Sequence, residues 1–374
     1  MSRNAVRDRW LHAVLCAGLS TLSMVASARA ADLPEFKAAP PPDVGQTQLW
    51  LEGGAFDPGG DAIHFGPDLG NLVLLTDLCG LGGFGSSSLC GGGNNAGILS
   101  GDPSVRGVWG WDTAAGFDHR FAGTNWHVNG ELRFGLARGS ASAPPLALNL
   151  SDLSVAPPTT LALNENDTTS LTEWHWQADL GIGYDVIKGP SPLQVTLGLR
   201  LAEIMSKTSD NANGSLSANC PTCAPPTSAF ATFAETDVTR RSFLGAGPRI
   251  GMVGSIPLYG AWTFDYKGDA ALLVGNTKIS DDFNESFSLL VPGVISVSAT
   301  GLTGSSYWSK WITVVNGDMQ GGIGYWITPY MKLSASLRLD VFLDALRQSP
   351  DDTLPAQGID RFYWGPKVTL TSKF

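Results

Sequence analysis

The sequence predicts an all-β chain: a transmembrane antiparallel up-and-down β-barrel of about ten strands, within a range of eight to twelve, with long extracellular loops and short periplasmic turns. Three observations predict it: ten segments alternate apolar with polar or small residues, the gaps between them are short and long in strict turn, and aromatic residues gather at the segment ends. Period-two alternation marks a strand with two different faces. An even number of strands returns both termini to the periplasm.

The clearest segment runs from 174 to 186. Trp174, Trp176, Ala178, Leu180, Ile182, Tyr184 and Val186 share one face, and Glu173, His175, Gln177, Asp179, Gly181, Gly183 and Asp185 share the other. Segment 126–136 repeats this, with Trp126, Val128, Leu132, Phe134 and Leu136 opposite His127, Asn129, Glu131 and Arg133. So does 262–274, with Trp262, Phe264, Tyr266, Leu272 and Val274 opposite Thr263, Asp265, Lys267 and Asp269. Weaker matches at 48–56, 105–118, 193–202, 241–252, 313–325, 331–342 and 361–374 complete the ten.

Connection lengths give the orientation. Short turns fall near 119–124, 187–192, 254–260 and 326–330, and long segments at about 57–103, 139–170, 207–235, 276–306 and 343–359. Outer-membrane barrels have short periplasmic turns and longer outside loops, which assigns the five long segments to the cell surface. A soluble antiparallel sandwich also alternates, but with its apolar face as the packed core. Aromatic residues decide between them: Phe117, Tyr184, Trp262, Tyr325 and Tyr330 lie toward the turns, and Trp109, Trp111, Trp174, Trp308 and Trp311 toward the loops, as girdles at two membrane interfaces would. The last segment carries Phe362, Trp364, Pro366, Val368, Leu370, Ser372 and Phe374 on one face, and the terminal Phe374 reads as an assembly signal for the outer membrane.

Residues 1–30 have the three parts of a secretory signal: basic Arg3, Arg7 and Arg9, an apolar stretch from Trp10 to Val25, and the small-residue exit Ala28-Arg29-Ala30. Cleavage near Ala30 would change the formal charge from −10 to −13. A Pro-rich periplasmic lead over 31–45 then precedes a barrel over 46–374. No later segment approaches the ~18 uninterrupted apolar residues of a spanning helix. An acidic envelope protein excludes nucleic acid as the natural partner, because the expected footprint there is basic. The partners implied are outer-membrane lipid and lipopolysaccharide, the barrel-assembly machinery, and a surface partner met through the loops.

Cys79, Cys90, Cys220 and Cys223 are the candidate disulfide cysteines of the exported chain, where an oxidising compartment lets disulfides persist. Four cysteines allow three connectivities, and the sequence does not choose. Neither their spacing nor any paired histidine matches a zinc site. Cys220-Pro221-Thr222-Cys223 lies in a loop, without the helix N-terminus that activates a redox dithiol. Gly80-Leu81-Gly82-Gly83-Phe84-Gly85 matches a dinucleotide pattern by letter but has neither the strand before it nor the helix after it. No cofactor, metal or catalytic residue is therefore expected, and the chain does not read as an enzyme. His127 and His175 fall on the lumen face, and any acid partner must come from a neighbouring strand.

The lumen face itself carries a near balance of charge. Glu131, Asp179, Asp265, Asp269, Asp318 and Asp340, with Glu52, Asp112, Asp118, Glu173 and Asp185, face Arg133, Arg200, Arg249, Lys267, Arg338 and Lys367, with Arg241, Lys332, Arg361 and Lys373. Paired networks are expected, because an unpaired charge in a narrow interior is costly. Such networks either constrict a pore or brace a plugged wall, since barrels of about eight strands fill their interior and those of 16 to 18 leave a channel.

One stretch adds a family resemblance. Ser242-Phe243-Leu244-Gly245-Ala246-Gly247-Pro248-Arg249-Ile250-Gly251, then Ser255-Ile256-Pro257-Leu258-Tyr259-Gly260 and Ala271-Leu272-Leu273-Val274-Gly275, with Leu197-Gly198-Leu199-Arg200 before them, resembles the Legionella-type major outer membrane protein family over roughly 171–275. The resemblance implies an outer-membrane β-barrel with pore formation and surface interactions, and no catalytic residue.

Two functional expectations follow, with a third behind them. The leading one is a porin-like passive channel for ions or small polar solutes, cation-preferring because the five loops carry 16 acids against three bases, Lys207, Lys278 and Arg347. The alternative is a plugged structural or adhesin-like barrel that acts through its loops. An outer-membrane hydrolase comes third.

Overall fold

The structure, a computed structural model, describes residues 45–60, 108–142, 146–150, 160–189, 191–220, 227–291, 295–348 and 358–374. The signal segment, the Pro-rich lead, Cys79, Cys90, Cys223 and most of the first loop lie outside the described residues, as does the side chain of Cys220.

Eleven strands form: β1 (Gln46–Gly60), β2 (Gly110–Arg120), β3 (Trp126–Ser142), β4 (Leu146–Leu150), β5 (Thr160–Ile187), β6 (Leu193–Cys220), β7 (Thr227–Pro257), β8 (Trp262–Val291), β9 (Ile295–Thr328), β10 (Met331–Arg347) and β11 (Gly358–Lys373). Each pairs antiparallel with its sequence neighbours, except that β3 passes over β4 to pair with β5. The short β4 pairs with the far end of β5 and continues the arm of β3. The sheet closes where β1 meets β11, in a register that sets Leu51 against Leu370. The result is a ring of ten antiparallel strands, and the ten predicted segments fall one on each of them, that at 105–118 from Gly110 onward.

The two faces of the wall have opposite chemistry. Outward residues are apolar and exposed, such as Leu132, Leu180, Leu199, Ile250 and Leu272, while inward Arg133, Arg200, Asp318 and Asp340 are buried. A soluble sandwich would show the reverse. This is the arrangement of an outer-membrane barrel, with its apolar side toward lipid. Trp126 packs on Tyr184 and Trp262 on Tyr325 at the end with the short turns, and Trp109 on Trp364 and Trp111 on Phe134 at the other. Two aromatic levels therefore bracket the apolar band.

Two sequence expectations are corrected. The stretches 139–170, 207–235 and 276–306 were expected as loops, yet β5, β6, β7, β8 and β9 run on through most of them, reaching 28 to 34 residues. Crossing a bilayer takes only about 9–11 residues. Above the apolar band both faces of a strand meet polar surroundings, so the alternation that reveals a strand in lipid disappears. Trp308 does not join the outer girdle. It pairs with Ile279, whose side chain faces inward, whereas Trp311 is exposed outside. Residues three apart on a regular strand fall on opposite faces.

Candidate functional site

Everything the barrel encloses is stacked in levels, because inward side chains recur at every second residue of each strand. At the turn end, Asp265 on β8 lies 2.8 Å from the Lys332 ammonium on β10. It also accepts hydrogen bonds from Ser255 and Ser334 at 2.8 and 2.9 Å. His127 on β3 lies between two carboxylates from neighbouring strands, 2.7 Å from Asp118 on β2 and 3.0 Å from Asp185 on β5.

The next level is a closed charge network. Arg200 on β6 holds Asp179 on β5 with two nearly parallel bonds, Nε to Oδ1 at 2.8 Å and Nη2 to Oδ2 at 2.7 Å. The same guanidinium reaches Asp318 on β9 at 3.2 Å and the Asn316 amide oxygen. Arg338 on β10 donates to the same Asp318 oxygen, Oδ2, at 2.8 Å, and Arg249 on β7 donates to Asp269 on β8 at 2.6 Å. Arg133 contacts Glu131 on its own strand and Asp340 across the lumen at 3.4 Å. Lys267 reaches Glu131 at 2.5 Å, and Glu52 on β1 accepts from Gln320 and Thr369 at 2.7 and 2.9 Å.

Six carboxylates, Glu52, Glu131, Asp179, Asp269, Asp318 and Asp340, thus share one level with five cations, Arg133, Arg200, Arg249, Lys267 and Arg338. Arg200 is fully buried and Asp318 is 1% exposed, so these charges have exchanged water for one another. Close opposite charges offset the loss of water, while Asp318 Oδ1, Asp269 Oδ2, Arg133 Nε and Arg338 Nε accept or donate no hydrogen bond among the described residues. The network therefore fixes strands around the whole ring to each other.

Above the charges lies an apolar level. Phe56, Ile204, Phe243, Leu273, Val314, Phe342, Leu346 and Ile359 point inward from seven different strands and are nearly or fully buried. Beside them Glu173 on β5 accepts hydrogen bonds from Arg361 Nε and from the Tyr363 hydroxyl on β11, both at 2.8 Å. Tyr363 lies against His175, ring centres 4.3 Å apart, and His175 Nε2 is 3.9 Å from Asp112, which pairs with Lys367 at 2.8 Å. Gly135 makes room for that histidine: a Cβ there would come within 2.3 Å of its ring.

The extended strands raise a polar cup over this plug, where β7 runs on past Leu244 and β8 past Val274. Inward here are Thr169, Thr208, Asp210, Asp237, Thr239, Arg241 and Asp281. Thr239 donates to Asp281 at 2.8 Å, and Arg241 to the Thr208 hydroxyl at 3.4 Å. The Asp237 carboxyl is pushed up to about 7, first by burial and then by Asp281 against it, with Asp210 and Glu235 adding to the effect. Such a group still holds its proton in mildly acidic water.

The structure brings Glu131, Arg133, Asp179, Arg200, Arg249, Lys267, Asp269, Asp318, Arg338 and Asp340 into one network. It sets Asp265 apart at the turn end and Lys367 apart beside Asp112. Asp265 and Lys267, two residues apart on β8, hold different partners, because each finds an opposite charge on another strand. Sequence reasoning missed the apolar level. Its signal is a local loss of alternation: Ala270-Ala271-Leu272-Leu273-Val274 and Val341-Phe342-Leu343 are apolar on both faces. Among the described residues no group of three or more His, Cys, Asp or Glu side chains is placed to hold a metal ion.

No protein-family model matches the sequence, and no curated protein matches it. Solved structures resemble it in outline. The outer membrane protease OmpT from Escherichia coli aligns at 12% identity over 92% of this chain and 100% of that one, with a TM-score of 0.35. The transport unit of the autotransporter AIDA-I from Escherichia coli aligns at 8% over 95% and 97%, with a TM-score of 0.26. The P. putida toluene transporter TodX aligns at 7% over 89% and 90%, with a TM-score of 0.23. Likenesses this distant carry no argument about what the chain does.

Proposed function

We propose that this chain is an outer-membrane barrel with a closed lumen, acting at the cell surface as a structural or adhesin-like interaction protein through the long hairpins and loops that its strands raise above the membrane. The observation that carries this reading is the double closure of the interior. A paired charge level spans the ring with Arg200 fully buried, and an apolar level with Phe243 and Leu273 fully buried lies directly over it. Ten strands enclose little more space than the eight whose side chains fill a barrel. The resemblance over 171–275 implies both pore formation and surface interaction. The packed lumen supports the second. Export with cleavage near Ala30, assembly signalled by Phe374, and disulfides among Cys79, Cys90, Cys220 and Cys223 belong to the same proposal.

The test is electrical. Refolded mature chain in planar bilayers is expected to give no stable conductance, and liposomes containing it no swelling with sugars of any size. Steady cation-selective channels would overturn the closed lumen and restore the porin-like reading. Turnover of lipid or peptide by the purified protein would replace both with a hydrolase.

A further inference from the structure

The outer wall changes character immediately above its apolar band, and it does so unevenly around the ring. On β3 the last outward apolar residue is Leu136, and the next outward position is Arg138; on β6, Met205 is followed by Lys207. On β7, Leu244 is followed outward by Ser242 and Arg240, and on β8, Val274 by Asn276 and Lys278. One outward position is about 7 Å of strand. All four cations therefore sit within two such steps of the lipid boundary.

They also lie side by side. With β5 between β3 and β6, these strands are neighbours in the ring. Arg138 pairs with Thr172, Thr172 with Lys207, and Lys207 with Arg240. Like charges directly opposite on a sheet repel. Arg240 is compensated by Asp282 at 2.5 Å. Arg138, Lys207 and Lys278 make no ion pair among the described residues. Glu203, two outward positions below Lys207, is held by the Trp176 indole at 2.7 Å. The opposite wall has the other sign: Asp57 follows Ala55 on β1, and Asp360 follows Phe362 on β11.

We infer that this arc seats a phosphorylated glycolipid of the outer leaflet, with Arg138, Lys207 and Lys278 taking its headgroup phosphates. Its acyl chains run down the exposed apolar wall formed by Leu199, Leu201, Leu244 and Val274. The level decides the ligand. An anion anchored by acyl chains in the band presents its charge at this height, and a cation one or two steps above lipid is where it meets that charge without leaving water. Exposed Trp311 and Tyr307 flank Ser309, the β9 partner of Lys278, and give the sugar backbone a surface to lie against. The inference rests on the orientation proposed above, with the long hairpins outside.

The test uses the refolded full barrel in a neutral detergent, probed by native mass spectrometry with lipid A carrying two phosphates, the same lipid with none, and inorganic pyrophosphate. Each basic residue near a charged lipid surface changes affinity about fivefold. The bisphosphorylated lipid is expected to bind about a hundredfold more tightly than the phosphate-free one. The triple variant Arg138→Gln/Lys207→Gln/Lys278→Gln is expected to lose that preference while keeping its heat-modifiable band, and Lys188→Gln, at a periplasmic turn, to leave it intact. Equal binding of the phosphate-free lipid, an unchanged preference in the triple variant, or pyrophosphate binding as tightly as the lipid would each overturn the assignment. Channel activity would overturn the closed lumen without touching this result, and an unchanged triple variant would overturn the arc without touching the lumen.

Discussion

Lys267 on β8 crosses the lumen to Glu131 on β3, Nζ to Oε2 at 2.5 Å, although β5, β6 and β7 stand between the two strands in the wall. A bond of this kind ties opposite staves together. Lys267→Met leaves the same level with six carboxylates against four cations, and breaking a buried pair in this way costs about 3–5 kcal/mol. The temperature at which the folded band converts to the unfolded one in detergent should drop accordingly. Lys267→Met/Glu131→Met restores the charge balance and should recover most of the loss. A double variant whose loss equals the sum of the losses of Lys267→Met and Glu131→Met would show that the two residues act independently.

Phe243→Ala removes a fully buried ring from the apolar level, a change expected to cost about 3–5 kcal/mol through lost transfer energy and the cavity left behind. It should open no channel, because the charge level beneath stays closed. Denaturation midpoints and bilayer recordings on the same preparation check both halves, and conductance in this variant would mean that the apolar level alone seals the lumen.

Asp237 gives the cup a dependence on pH. Its ordinary carboxylate value is 3.8, and its folded value is about 7. The folded state therefore binds a proton that the unfolded state has released, so the stability from this group is fully present below about 4 and is lost as pH rises through 7. The β7–β8 hairpin should resist protease and hydrogen exchange better at pH 5 than at pH 8. Asp237→Asn should flatten that difference and hold the hairpin at its low-pH resistance throughout. A difference that persists in the Asn variant would place the titrating group elsewhere.

Phe374 closes the ring at its turn end by exchanging two backbone hydrogen bonds with Thr47, at 2.8 and 3.1 Å. Its side chain is exposed on the lipid side. Deleting it should leave export intact while reducing the heat-resistant folded form in outer-membrane fractions. Unchanged surface levels of the deletion would remove the terminal aromatic from the assembly pathway.

The fold was legible wherever a strand separates lipid from the lumen, because only there do successive residues meet different solvents. Leu180 beside Asp179 and Leu199 beside Arg200 place their strands without further help. The same strands became unreadable above the membrane: from Lys207 to Asn219 the chain pairs in register with both neighbours, yet its sequence is that of a polar loop. The lumen charges were legible as a set but not as partners. Lys267 has Asp265 two residues away and yet holds Glu131, 136 residues distant, because ring closure rather than chain distance decides which ends of long side chains meet. The apolar level left only the faint trace of doubled apolar runs, which in lipid-facing strands look like a slightly broader hydrophobic face.

The strands end at very different heights. β2 has 11 residues and β1 has 15, whereas β8 has 30 and β9 has 34. At about 3.3 Å per residue, the rim is slanted by tens of ångströms, high over β5 to β9 and low over β10 to β3. The molecule consequently has a front and a back. Among the described residues, something arriving in the plane of the membrane meets a parapet on one flank and a low sill on the other, where β1 ends at Gly60 and β2 begins at Gly110. Barrels crowded together would therefore not be interchangeable by rotation: turning one about its axis changes which neighbours can lean over its mouth.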